Sequence, residues 1–512
     1  MSDKSAPQQK AITTMVQCSV FALFLSRHLV LLLLVLCAPA AAAELGVLAP
    51  VIVDGQPLMK VDSKNRQVPV VTRVTSGPLY EQLQKEAREG FTATVLALDE
   101  LAQRRSGTAP VPTWLYLAVE DGGFARVGFF LREERGERFV PDAYVDLVVD
   151  EDIVANGGFE EIFAHEMGHV FLRRLFPSLP PGYSRTPHMS LAITDYPTAF
   201  DEGFATHMQP LVRRLTRNAA LHDEDLGLTS KPFVPYWLSN LDRSARTDGV
   251  RRNWFVQLQA PQGSAASAEH STLFDIERLK NGNQMLASEG VVATLFYRWL
   301  VPGPADERAL LERYGKMFDA FAALEKRKPG PDSPLMIQLV DSYRALFPQE
   351  SDRMLTVLLE TTYGATADAS LTPTVESVAA RGRSGDIETF VGELTPARKS
   401  FAKLRESVLK DPATAGAALG PNLWLLSDTP MGGPDKNAKT AINLNTAERD
   451  DLLKLPGIDA GSADKLLQSR RRDGLFRSLD DVVARAQVSE PAKQRLVEMM
   501  SGMQRAGVYS RE

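Results

Sequence analysis

"IFAHEMGHVF", residues 162–171, sets two histidines four positions apart in an apolar run, with a glutamate directly after the first. Positions i and i+4 of an α-helix project from one face, so His165 and His169 can offer both imidazoles to a single cation. Glu166 points slightly aside, where it can take a proton from a metal-activated water. Gly168 removes side-chain bulk between the two histidines. The surrounding "NGGFEEIFAHEMGHVFLRRLF" predicts one helix. Asn156 and two glycines open it, acidic residues fill its first turn, Arg173 and Arg174 its last, and Pro177 stops it.

A catalytic zinc typically takes three protein ligands and leaves one position for water. "TAFDEGFATH", residues 198–207, places Glu202 on a second predicted helix running from about Thr198 to Leu215. The pair "HEMGH" and "DEGFA" resembles the gluzincin metallopeptidases, over roughly residues 110–300. That resemblance implies zinc ligands His165, His169 and Glu202, and Glu166 as general base. It implies hydrolysis of a peptide or protein substrate by a zinc-activated water. It also implies that a strand such as "AYVDLVV", residues 143–149, pairs with the extended substrate. The 32 residues between His169 and Glu202 exceed the spacing of the aminopeptidase-like branch, so the resemblance is to the superfamily alone.

Asp201 reads either as the acceptor of a ligand histidine's second ring proton or as an exposed helix carboxylate. His188, Tyr196, His207 and Tyr297 are the donors available to stabilise an oxyanion. Of these, Tyr297 reads more readily as core, and His207 as a residue behind the ligands or at the surface. Five of the seven histidines, from His165 to His222, fall within 58 residues.

The chain of 512 residues is too long for one core. The expected class is α+β: a mostly helical metallopeptidase-like part with a small N-terminal sheet, and a small all-α helix-hairpin-helix domain. The expected boundaries are a signal peptide over 1–43, a sheet subdomain over 44–155 and the HExxH core over 156–300. A helical subdomain over 301–428, a linker over 429–441 and the C-terminal domain over 442–505 follow. Within the sheet part, "VPVVTRVTS", "TWLYLAV", "ARVGFFL" and "AYVDLVV" alternate as strands, and Leu79 to Ala102 as a helix.

Both cysteines, Cys18 and Cys37, lie in the leader, where basic residues precede "LVLLLLVLCAPAAAA". This predicts a secretory signal cleaved near Ala43 and a periplasmic or secreted protein; retention as an inner-membrane anchor is the alternative. After cleavage no cysteine remains, which excludes disulfides and thiol catalysis and leaves His, Asp and Glu to hold any metal.

A net charge of −6 shows no chain-wide attraction to nucleic acid. From Lys436 onward, however, 14 basic residues face 11 acidic ones, a net of +3 against −9 elsewhere. There "INLNTAERDDLLKLPGIDAGSADKLLQSRRRDGLFRSLDDVVARA", residues 442–486, resembles the helix-hairpin-helix domain of competence-type DNA-uptake receptors. Thr446 and Ser478 are the expected caps. The resemblance implies sequence-independent contact with double-stranded DNA through Gly457, Gly461, Lys465, Arg470, Arg471 and Arg472. Asp459 stands where the family has glycine, and the second hairpin, "AQVSEPA", has none. A small docking domain for protein or cell-wall polymer is the alternative. For the whole chain, the rival to a peptidase is a non-enzymatic DNA-uptake protein with a vestigial metal site.

Overall fold

The computed structural model describes residues 44–183, 190–229, 245–256, 279–303, 306–369, 402–430 and 439–505. The leader, with both cysteines, lies outside them, and so does His188. Among the described residues no helix is long and apolar enough to cross a membrane.

Alternating apolar residues build the N-terminal sheet. Its strands are β1 (Leu45–Pro50), β2 (Ile52–Val53), β3 (Gln56–Pro57), β4 (Met59–Val61), β5 (Gln67–Arg73), β6 (Thr113–Leu117), β7 (Phe124–Glu133) and β8 (Gly136–Leu147). The order β1-β6-β8-β7-β5 closes on itself, because β1 also pairs with β5, and β4 adds to β5 outside the ring. Leu48, Val71, Trp114, Phe129, Leu131 and Tyr144 fill the interior of this small barrel. β8 lies between β6 and β7, so both its edges are taken. The expectation that "AYVDLVV" pairs with a substrate is therefore corrected: it has no free edge.

Two helices, α1 (Pro78–Glu89) and α2 (Phe91–Ser106), stand where one was expected. They break at Gly90, where a Cβ would strike the carboxylates of Glu86 and Glu160. Helix α3 (Gly158–Leu175) follows the barrel and packs on α2, β7 and β8. Asn156 Oδ1 accepts the N–H of Gly158, as the opening "NGG" suggested. The second predicted helix is split into α4 (Tyr196–Thr206) and α5 (Met208–Leu215). Pro210 is the cause: it has no N–H to give the carbonyl of Thr206, and its ring crowds that position. The helical remainder includes α6 (Glu289–Leu300), α7 (Glu307–Arg327), α8 (Leu335–Leu346) and α9 (Ser351–Thr361).

The stretch expected as a linker holds strands at both ends. β9 (Trp424–Pro430) pairs with β10 (Lys439–Asn443), and this ribbon shares one core with α10 (Arg449–Leu452), α11 (Ala460–Asp473), α12 (Leu479–Ala486) and α13 (Glu490–Arg505). The C-terminal module is thus not all-α. Its first cap is Glu448 rather than Thr446, while Ser478 caps α12 as expected.

Nor does the module hang on a tether. Gln284 Nε2 donates to Thr446 O and Asn281 Nδ2 to Asn445 O, each at 3.0 Å. Tyr183 packs edge-on against Trp424, 5.4 Å between centroids, and Trp424 Nε1 donates to Asp332 at 3.0 Å. Lys280 is fully buried in this seam, where burial lowers its pKa to about 8 against the pull of Glu448. The described residues from Leu45 onward belong to one compact unit.

Two close contacts invite measurement. A Cβ on Gly203 would come within 2.7 Å of Val292 on α6. Gly203→Ala is therefore expected to cost about 1–3 kcal/mol in urea unfolding, the usual range for overpacking. The Glu86 carboxyl, desolvated and beside Glu160, keeps its proton up to about pH 7, against an ordinary value of 4.5. The folded protein therefore holds more protons than the unfolded chain between those values, and stability should fall as pH rises through that window. Unfolding across this range should show the decline in the natural protein and a flatter profile in Glu86→Gln.

Candidate metal centre

Helix α3 presents His165 and His169 on the face that meets α4, and these two and the neighbouring Glu166 are buried. The helices cross closely because Gly168 faces Ala205: a Cβ there would lie 2.7 Å from the Ala205 Cα. This approach brings Glu202 across. Its Oε2 lies 3.8 Å from His165 Nε2 and 3.6 Å from His169 Nε2. Ligands held about 2.0–2.2 Å from one tetrahedral ion stand roughly 3.4 Å apart, so the two imidazole nitrogens and the carboxylate fit such an ion. His165, His169 and Glu202 form the metal-competent group among the described residues.

Asp201 is the brace that sequence left undecided. His169 Nδ1 donates to Asp201 Oδ1 at 2.7 Å, which leaves the Nε2 lone pair on the side of Glu202, available to a cation. The tautomer a metal requires is thereby fixed. Burial opposes charge on His169, yet Asp201 and Glu202 outweigh it and raise the ring's pKa well above the ordinary 6.5. The acidic pair thus favours a cation between these groups, and a bound metal would displace the proton.

Glu166 is set apart from the ligands. Burial raises its pKa, against the opposing pull of His169, and its carboxylate accepts the backbone N–H of Ala125 in β7. The carbonyl of Ala125 accepts from Arg173, seven residues beyond Glu166 on the same helix face. Ala125 and Arg173 escaped the sequence reading, where Arg173 was a last-turn cation. The heptad spacing from Glu166 was the available signal.

Three of the expected oxyanion donors are placed as follows. His207 is fully buried, neither behind the ligands nor at the surface. Its Nδ1 meets Phe204 O, its Nε2 lies 2.6 Å from the Tyr314 hydroxyl, and burial lowers its pKa to about 3. It is a core histidine with both ring nitrogens engaged. Tyr297 is buried on α6, and its hydroxyl accepts from Arg214 at 3.4 Å. Tyr196 opens α4, buried in the position after the capping Asp195.

In the C-terminal module, Arg470 is corrected from surface to interior: it is 7% exposed and donates to Leu444 O at 2.7 Å. Burial and Arg471 lower its pKa to about 10. Gly457 has φ +74°, and a Cβ there would strike Ala492, so this glycine serves the turn and the packing of α13. Gly461 and Lys465 are exposed, as is Arg472, which pairs with Asp473 at 2.8 Å. Arg449, Lys454, Arg485, Lys493 and Arg495 also lie in ion pairs with carboxylates.

Comparison with known proteins gives no relative: no family model, no curated protein and no solved structure matches this chain.

Asp201→Asn should preserve the fold and weaken metal binding about 10- to 100-fold, the usual effect of losing a carboxylate behind a ligand histidine. Chelator competition on the purified protein measures this. An unchanged affinity would remove Asp201 from the centre.

Proposed function

We propose that this chain is a zinc-dependent hydrolase of the gluzincin kind, acting on peptide bonds, with His165, His169 and Glu202 as ligands and Glu166 as general base. The observation that carries this reading is the convergence of the three donor atoms, with Asp201 fixing the tautomer of His169. A group of two imidazoles and one carboxylate, braced from behind by Asp201 and flanked by the Glu166 carboxyl, suits a catalytic centre better than a closed structural one. When bound, zinc supplies Lewis acidity and a nucleophile at neutral pH.

The protein's own residues then divide the work. Burial holds the Glu166 carboxyl above its ordinary pKa, which strengthens it as a base that accepts a proton and returns it to a leaving amine. Its contact with Ala125 N–H puts it at the start of β7. Over Phe124 to Val127, β8 is the ladder partner of β7 among the described strands, and β5 joins the other side only at Phe130 and Leu131. Ala125 on that side is taken up by Glu166 and Arg173, so an extended substrate would run alongside it, which this edge supports better than β8 does. The leader-like residues support an exported protein.

For the C-terminal module the observations favour docking within the chain over DNA contact. Arg470 is spent inside, and six other cations lie against carboxylates. The seam to Asn281 and Gln284 is built of buried hydrogen bonds.

Glu166→Gln loaded with zinc should retain about one metal per chain and lose roughly 10²- to 10⁴-fold in hydrolysis of a mixed peptide library. Hydrolysis that survives this substitution would sink the proposed role.

A further inference from the structure

The barrel beside Glu166 is not filled to its rim. A cavity of about 280 Å³ opens at one mouth, between the start of β7 and the flap formed by β2, β3 and β4. Met59, Pro69 and the rings of Tyr116 and Tyr144 form its walls, and the two rings meet edge-on at 6.0 Å. Asp146 lines it from β8 and is 5% exposed. One carboxylate oxygen of Asp146 accepts from Arg126 Nε at 2.5 Å. The other, Oδ1, is buried and has no hydrogen-bond partner. Such an oxygen is costly to bury without a donor.

Charge around the mouth is unbalanced. Glu120, Asp121 and Asp146 line the cavity against the single guanidinium of Arg126, itself half exposed. Burial raises the pKa of Asp146, Arg126 lowers it, and nearby Asp121 raises it again. The aromatic walls add the negative faces of their rings, which attract cations. The missing partner is therefore a donor carrying positive charge. The apolar walls suit a methylene stem, which a bare amino-terminus does not bring. Ligand pockets usually run about 300–1,000 Å³, so this one is sized for a side chain, not a whole small molecule.

Position ties the cavity to the metal centre. Arg126 follows Ala125, whose N–H holds Glu166, and Asp146 lies opposite Phe124 in the β7–β8 register. Side chains of an extended peptide alternate between two faces, so a peptide along this edge turns one of them towards the mouth.

We propose that the barrel mouth is a specificity subsite that takes a lysine or arginine side chain of the substrate, its cation on Asp146 Oδ1 and its stem against Met59, Pro69 and the two tyrosines. This rests on the peptidase reading above.

The zinc-loaded full-length protein, given a mixed-sequence peptide library, should cut with lysine or arginine enriched at one fixed position from the cleaved bond. Asp146→Asn should lower kcat/KM for a lysine-bearing peptide roughly 10- to 100-fold, the range for losing a charged hydrogen bond, and leave its norleucine twin unaffected. Asp121→Asn, at an exposed site, should lower it less and answers the question should Asp146→Asn misfold. Cleavage without a basic preference, a preference unchanged in both folded variants, or one that follows free amino-termini would each overturn the subsite.

Calorimetry on zinc-loaded Glu166→Gln separates the two readings, since it needs no turnover. Tighter binding of the lysine peptide than of the norleucine peptide, lost on adding Asp146→Asn, supports the subsite even if the natural protein cuts nothing. Equal binding of the two peptides overturns it.

Discussion

The approach of α3 to α4 is the constraint on which the rest of this molecule depends. Side chains from separate helices can share one ion only if the backbones are held at a separation those side chains can span. Gly168 facing Ala205, and Gly203 facing Val292, provide that closeness on both sides of α4. The distances from Glu202 to the two imidazoles follow from it.

Helix α3 must also be held along its length, or the histidines would drift relative to α4. Buried ionic contacts do this at each end. Near its start, Glu161 accepts from the fully buried Arg213 at 2.9 Å, and Glu160 accepts the N–H of Phe91 and the hydroxyl of Thr216. Near its end, Arg174 donates to the buried Asp99 at 3.0 Å, and Asp99 also accepts from Thr113. A buried pair is weak evidence for net stability, but breaking one strands a charge in the interior. These pairs therefore fix orientation more than they add strength. The same logic governs the seam that seats the C-terminal module.

Much of this was legible in the sequence, and unevenly so. The i, i+4 histidines and the downstream DEG carried the metal group because helical periodicity converts spacing into facing. The strands of the sheet were readable from alternation. Their closure into a barrel was not, because β1 meets β5 through pairing between distant segments that no local pattern records. His207 misled for a related reason: its ring nitrogens are engaged by Phe204 and by Tyr314, the latter 107 residues on. The arginines of the C-terminal module looked like a surface for phosphates. One of them instead crosses inward to Leu444, an outcome set by packing. At the ends of the apparent linker, Pro430 and Lys439 lie in paired strands, again a pairing that no local pattern records.

The contact between Tyr183 and Trp424 has a consequence for the order in which the protein comes into being. Tyr183 precedes the helix that bears Glu202, and its packing partners Trp424, Ala441 and Met503 are synthesised more than two hundred residues later. A nascent chain that has made both histidines and Glu202 still lacks the surface against which this segment rests. The packing around Tyr183 is thereby completed only when the far end of the polypeptide has been made.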